Sequence, residues 1–132
     1  MNTLRVIVAD DHDLVRSTVI SLIRSLGVDV VGEATNGREA IDSARRLQPD
    51  LVVMDGNMPV TNGYEATRTI KATMPGVRVA IVSVSAGPVY EQQAALVAAD
   101  AFITKSSLKQ SLCALVQDLI QKRKIPVVGA AA

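Results

Sequence analysis

Four short apolar runs in this chain each end in a polar side chain of the kind that does chemistry. LRVIVA (residues 4–9) is followed by Asp10 and Asp11, LVVM (51–54) by Asp55, VRVAIV (77–82) by Ser83, and AFIT (101–104) by Lys105. Runs of this composition read as strands buried on both faces of a parallel sheet. Open α/β folds bind ligands at the rim beyond the carboxyl ends of such strands. If the four strands are parallel, three carboxylates, a hydroxyl and an amine converge on one rim. That set suits a cation site beside an anion site, and so phosphoryl chemistry.

Between the runs the apolar spacing becomes helical. Val15, Val19, Leu22, Ile23 and Leu26 share one face of a helix over about residues 14–26, ended by Gly27. VDVVGE (28–33) reads as a second, less apolar strand suited to a sheet edge. Asn36 and Glu39 make a capping box for a helix to about Leu47, with Ala40, Ile41, Ala44 and Leu47 inward and Pro49 as its stop. The third strand covers 50–54, and a loop from Asp55 to Thr61 carries Pro59. Asn62 and Glu65 form a second capping box, opening a helix to about Thr73. Pro75-Gly76 turns the chain into the strand at 77–82. Gly87-Pro88 starts a helix to about Ala98. After the strand at 101–104, Ser106 or Ser107 caps a last helix to about Lys122, with Leu108, Leu112, Leu115, Val116 and Leu119 inward.

Five strand–helix repeats predict an α/β domain with right-handed crossovers. The simplest result is a doubly wound, five-stranded parallel sheet in the order 2-1-3-4-5, the flavodoxin-like arrangement. Residues 1–122 would form this domain, with 123–132 as a C-terminal tail or truncated linker. A length of 132 residues suits one domain. The net charge of +1 lacks the basic excess of a nucleic-acid module, and Lys122-Arg123-Lys124 reads as a helix end whose cations face exposed carbonyls. The single cysteine, Cys113, has no internal disulfide partner. The opening MNTLRVIVADD does not read as a signal peptide. No run approaches the roughly 20 apolar residues of a membrane helix. A cytoplasmic protein that binds neither membrane nor nucleic acid is the expectation.

Three ionised carboxylates in one pocket repel each other, and a divalent cation relieves them. Mg²⁺ takes oxygen ligands and commonly one or two carboxylates, which Asp10, Asp11 and Asp55 offer. A carboxylate can also attack phosphorus and form an acyl phosphate. The step needs positive charge around the phosphoryl oxygens, available from the cation and Lys105, and Ser83 could donate a hydrogen bond. Taken singly these residues have plainer readings. Asp13 reads as the cap or first-turn acid of the first helix, Asn57 as a loop asparagine, and His12, the one histidine, as a surface residue at a helix start. The conjunction at one end of adjacent strands carries the argument.

Asp10-Asp11 after the first strand, Asp55 in MDGNMP, the Asn-Gly of TNGYEA, Ser83 and Lys105 together resemble the receiver domain of two-component response regulators, over about residues 4–122. VADDHDLVR is similar to the subgroup whose receivers usually precede a helix-turn-helix DNA-binding domain, so the resemblance implies a part in transcription regulation. It implies that Asp55 accepts phosphate from a sensor histidine kinase or phosphotransfer protein. It implies Mg²⁺ on Asp11, Asp55 and the backbone carbonyl of Asn57, with Asp10 acting mainly through water. Ser83 would move toward the phosphoryl group, Lys105 would pair with it, and Phe102 would change rotamer with Ser83. Asn57 and Ser85, each two residues beyond a site residue, would border the path of hydrolytic water. The output surface, and a possible homodimer contact, would be the fourth helix, fifth strand and fifth helix. The only catalysis expected is self-directed phosphoryl uptake and hydrolysis.

The chain also departs from the family pattern. Ser106 follows Lys105 where many relatives have proline. Ala99-Asp100-Ala101 replaces a commoner glycine-rich turn, and from Ser83 to Thr104 only Glu91 and Asp100 are ionised. Rival readings are a degenerate receiver that binds partners without phosphorylation, an aspartyl-nucleophile phosphatase, and a cobalamin-binding domain. The phosphatase would want D-x-D where Asp55-Gly56-Asn57 stands. The cobalamin motif D-x-H-x-x-G lacks its glycine here.

Overall fold

A computed structural model describes the backbone of residues 3–131 and the side chains of residues 3–122. The elements run β1 (Arg5–Ala9), α1 (Asp13–Ser25), β2 (Asp29–Ala34), α2 (Gly37–Leu47), β3 (Leu51–Asp55), α3 (Gly63–Thr73), β4 (Arg78–Ser83), α4 (Pro88–Leu96), β5 (Ala101–Thr104) and α5 (Leu108–Ala131), with one 3₁₀ turn at Lys105–Ser107. All strand pairings are parallel, in the order β2-β1-β3-β4-β5. This is the arrangement expected from the sequence.

The apolar runs became strands because both of their faces are covered. Val6, Ile7 and Val8 of β1 and Leu51 to Met54 of β3 are buried, and each such side chain contributes roughly 1.5–3 kcal/mol. Alternate residues feed two separate cores. One packs Ile7, Val52, Met54 and Ile81 under α2, α3 and α4; the other packs Val8, Val53, Val82 and Ile103 under α1 and α5. β2 is an edge strand, with β5 at the other edge, and is only partly buried.

Several boundaries shift by a residue or two from the sequence reading. Asp55 and Ser83 are the last residues of β3 and β4 rather than the first beyond them. The extra ladder position comes from pairing between neighbours, Asp55 opposite Val82 and Ser83 opposite Thr104. His12, not Asp13, is the N-cap of α1, and Asp13 is its first-turn acid, paired with Arg16 at 2.8 Å. The Asn36 cap accepts from the Glu39 N–H at 2.8 Å, but Glu39 returns its bond to the Thr35 N–H rather than to Asn36. Asn62 accepts from the Glu65 N–H at 2.9 Å. Ser107 bonds to Thr104 and Ser111 side chains inside the 3₁₀ turn that precedes α5. No cis peptide bond occurs among the described residues, including Lys105-Ser106. α4 ends at Leu96, and within it only Ala94 is buried. α5 continues beyond residue 122, where the sequence reading ended it. The side chains of Arg123 and Lys124 lie outside the described residues.

Candidate functional site

β1, β3 and β4 deliver their last side chains to one rim. Asp10 follows β1 and is held by its own N–H, which donates to the Ala34 carbonyl across the sheet at 3.0 Å. Asp10 and Asp55 are almost fully buried, at 4% and 5% exposure. Asp11, one residue on, is partly exposed. Lys105 reaches in from the end of β5, with Nζ 3.6 Å from Asp10 Oδ2 and 3.8 Å from Asp55 Oδ1. The Asn57 N–H donates to Asp55 Oδ1 at 3.3 Å, and the Ser85 N–H to Ser83 Oγ at 3.1 Å. Ser83, Ser85, Asn57, Lys105 and Asp55 line a single cleft.

The loop that carries Asp55 into α3 is tight. The Gly63 N–H donates to the Gly56 carbonyl at 3.1 Å, and a methyl group on Gly63 would overlap the carbonyl oxygen of Asp55. This is the physical content of the Asn-Gly pair in TNGYEA: asparagine caps α3, and glycine lets the helix start against the strand end.

Electrostatics mark Asp55 out. Burial, and then the nearby Asp10 carboxylate, push its pKa up from 3.8 to about 6, against the smaller downward pulls of the Asn57 N–H and Lys105. One amine is too little positive charge for this rim. Asp11 Oδ1 is buried without a hydrogen-bond partner. One ligand atom from each of Asp10, Asp11, His12 and Asp55 lies within 4.8 Å of the others. A buried carboxylate oxygen without a hydrogen bond, beside two other carboxylates, is what a divalent cation would satisfy, so the residues fit such an ion.

The structure brings seven of the eight residues proposed from the sequence to this rim. Phe102 is the exception. It is half-buried and packs into the core under α2, α3 and α4, and is not among the residues lining the cleft, where the aromatic rings are Tyr64 and Tyr90. The sequence reading missed both tyrosines, Asn62 as a cleft residue, and His12. Tyr64 carried a signal, since it follows the glycine that holds α3 against Asp55. Its hydroxyl is buried beside the Ser83 side chain. His12 sits with Nδ1 3.1 Å from Asp11 Oδ1 and 3.5 Å from Asp10 Oδ1. Its side chain stays exposed, as the sequence reading has it, and the Asp10 carboxylate, which accepts from the His12 N–H at 2.8 Å, places it beside the rim.

A doubly wound parallel sheet with an acidic, cation-competent rim and a lysine opposite defines a class of phosphoryl-handling signalling domains. Residues 6–117 match the family described as response regulator receiver domain, and the chain belongs to that family. It is similar to the response regulator GacA of Pseudomonas viridiflava, 44% identical over 82 residues that make up 61% of this chain and 38% of that protein. It is similar also to the transcriptional regulatory protein LnrK of Bacillus subtilis, 41% identical over 61% of this chain and 37% of that one. The chain thus matches well under half the length of these relatives. Among solved structures, the signal receiver domain of the response regulator NarL from Mycobacterium tuberculosis superposes with a TM-score of 0.85, at 30% identity over 92% of this chain and 98% of that one.

Proposed function

We propose that this chain is the phosphoryl-accepting switch of a two-component system, with Asp55 as the acceptor. The observation that carries the reading is the buried Asp55 carboxylate, at the end of a central strand, facing Lys105 and flanked by Asp10 and Asp11. Mg²⁺ is the cation proposed for Asp10, Asp11, Asp55 and the Asn57 carbonyl, and when bound it would supply charge neutralisation for the incoming phosphoryl oxygens. Asp55 supplies the attacking oxygen. The Lys105 ammonium neutralises a phosphoryl oxygen, and the Ser83 hydroxyl, released from the Ser85 N–H, donates to another. Asn57 and Ser85 border the side from which water would approach, which supports their role in setting the lifetime of the acyl phosphate.

Phosphorylation adds nearly two negative charges, and the reading has Ser83 and Lys105 drawn toward them, Phe102 following and the α4–β5–α5 face changing population. The donor is a sensor histidine kinase or phosphotransfer protein in the cytoplasm, and a second copy could dock on the α4–β5–α5 face. The domain comprises residues 1–122, with residues 123–132 as a C-terminal tail or truncated linker. The chain itself turns over no separate substrate and binds no nucleic acid. Incubation with Mg²⁺ and a small acyl-phosphate or phosphoramidate donor should add one phosphoryl group by intact mass, and Asp55→Ala should abolish it. A verified donor that never modifies the wild type overturns the reading.

A further inference from the structure

The guanidinium of Arg16 has no task in the switch just described. Arginine side chains are mostly exposed, but that of Arg16, in the first turns of α1, is only 13% exposed. Its planar fork donates in three directions. Nη2 bonds Asp13 Oδ1 at 2.8 Å, Nε bonds Glu33 Oε1 at 2.9 Å, and Nη1 bonds the backbone carbonyl of Asp10 at 2.9 Å. The two acids are open to water, Asp13 at 90% and Glu33 at 54% exposure. Ion pairs to such acids contribute little to stability. They do fix the plane of the fork, and with it the direction of the bond that Nη1 gives to one carbonyl.

That carbonyl belongs to the peptide joining Asp10 to Asp11. A peptide unit is planar, so holding its oxygen sets the direction in which the chain enters Asp11. The next peptide is held as well, because the Asp10 carboxylate accepts from the His12 N–H at 2.8 Å. Asp11 stands between β1 and α1 and belongs to neither. The peptides on its two sides are pinned instead by side chains, one by Arg16 and the other by Asp10. With both planes fixed, the Asp11 side chain has one direction of departure. A carboxylate oxygen of Asp11 then lies within 4.8 Å of ligand atoms of Asp10 and Asp55.

We propose that Arg16 is a positioning residue of the cation site: its fork holds the Asp10–Asp11 peptide so that the Asp11 carboxylate stands ready for Mg²⁺ beside Asp55. The proposal rests on reading Asp55 as the phosphoryl acceptor and the rim as its Mg²⁺ site. The charge of Arg16 works against this task, since a cation beside the rim repels Mg²⁺. If charge alone mattered, neutralising Arg16 would tighten the ion, with Asp13 and Glu33 left behind as unpaired acids. Loss of orientation has the opposite sign. Groups that orient metal ligands are commonly worth about 10- to 100-fold in affinity, whereas a charge already paired with two solvated acids acts weakly at the rim. Orientation therefore wins.

The test titrates Mg²⁺ calorimetrically into chelator-treated protein of the full sequence, and follows phosphoryl uptake from a small acyl-phosphate donor by intact mass over a range of Mg²⁺. Arg16→Gln should weaken Mg²⁺ binding by about tenfold. Its uptake should need correspondingly more Mg²⁺ and return to near the wild-type rate at saturation, because Asp55, Ser83 and Lys105 are untouched. Arg16→Lys keeps the aliphatic stem and the charge but not the fork, and it should weaken Mg²⁺ at least as much. Unchanged or tighter Mg²⁺ binding in either variant overturns the proposal while leaving the phosphoryl switch standing, even where the urea midpoint has fallen, since the midpoint reports only the hold of α1 on the sheet. A wild type that binds no Mg²⁺ or takes up no phosphoryl group overturns the reading of the rim itself and this proposal with it.

Discussion

Replacing Asp55 by asparagine should stabilise the metal-free protein, although it removes the residue on which the proposed function depends. The carboxyl has a pKa near 6 in the folded chain against 3.8 ordinarily, and at roughly 1.4 kcal/mol per pH unit the difference is about 3 kcal/mol. The sign follows from which state holds the proton. Below about pH 3.8 the group is protonated in both states and contributes nothing. Between 3.8 and 6 the native chain keeps a proton that the unfolded chain releases, so stability falls as pH rises. Above 6 the full cost of a buried, poorly compensated charge persists. Asparagine has nearly the same volume and no charge, so it escapes this cost, and the attraction to Lys105 that it loses is already contained in the net shift. Urea unfolding in chelator should therefore show Asp55→Asn more stable than wild type by about 2–3 kcal/mol at pH 7.5, on the order of 10 °C in Tm for a domain of this size. The gap should close toward pH 4. Saturating Mg²⁺ should shrink or reverse it, because a ligand that binds only the native state stabilises the wild type. Equal stability at pH 7.5, or a gap independent of pH, would refute the account of the rim's electrostatics.

Further expectations come from the backbone and from one clasp. Val60 takes a left-handed conformation, φ 68°, with its side chain exposed. Such a conformation costs a β-branched residue about 1–2 kcal/mol, so Val60→Asn should raise the urea midpoint by about 1 kcal/mol equivalent, and a loss of stability would show that the loop is held by the valine itself. Gly63→Ala should cost about 2 kcal/mol or more, because backbone must move to clear the methyl group, and it should also slow phosphoryl uptake by displacing Asp55; wild-type stability and uptake would contradict the close approach. Asp100 accepts from the Val79 N–H at 2.8 Å and from Lys71 Nζ at 2.9 Å. Asp100→Ala should thus cost about 1–3 kcal/mol in chemical denaturation, with phosphoryl uptake retained since this clasp lies at the other end of β4; an unchanged midpoint would mean that water replaces both bonds.

The fold and the acidic rim were legible in the sequence for the same reason: a strand buried on both faces announces itself as an apolar run, and its end fixes where the next polar side chain must emerge. Asp10, Asp55, Ser83 and Lys105 could be placed from that alone. Residues whose position depends on a turn could not. His12 looks like any exposed histidine at a helix start until the Asp10 carboxylate is seen to hold its backbone. Tyr64 and Tyr90 sit in the first turns of α3 and α4, where helical periodicity says nothing about which loop they overhang. Ala98 adopts a left-handed conformation, φ 63°. The sequence reading registered this region only as a departure from a glycine-rich turn, because alanine gives no signal for positive φ.

The packing is also uneven around the rim, and this bears on where a change of charge could be transmitted. Moving β3 would expose Leu51, Val52, Val53 and Met54, all buried, at roughly 1.5–3 kcal/mol each. Two added charges at Asp55 cannot supply that against an intact core. α4 is different. It buries Ala94 and, just past its end, Val97, while Val89 and Leu96 stand exposed at 62% and 79%. Its connection to the rim is the short Ser83–Gly87 segment, in which the Ser83 hydroxyl is tied by one backbone N–H. Under the proposed switch, two arrangements of a helix gripped this lightly would differ by few contacts and so by little free energy. An electrostatic pull on Ser83 of a few kcal/mol then suffices to invert their populations. The rigid strands hold the chemistry in place, and the lightly packed helix beside them is the element that such a small energy can move.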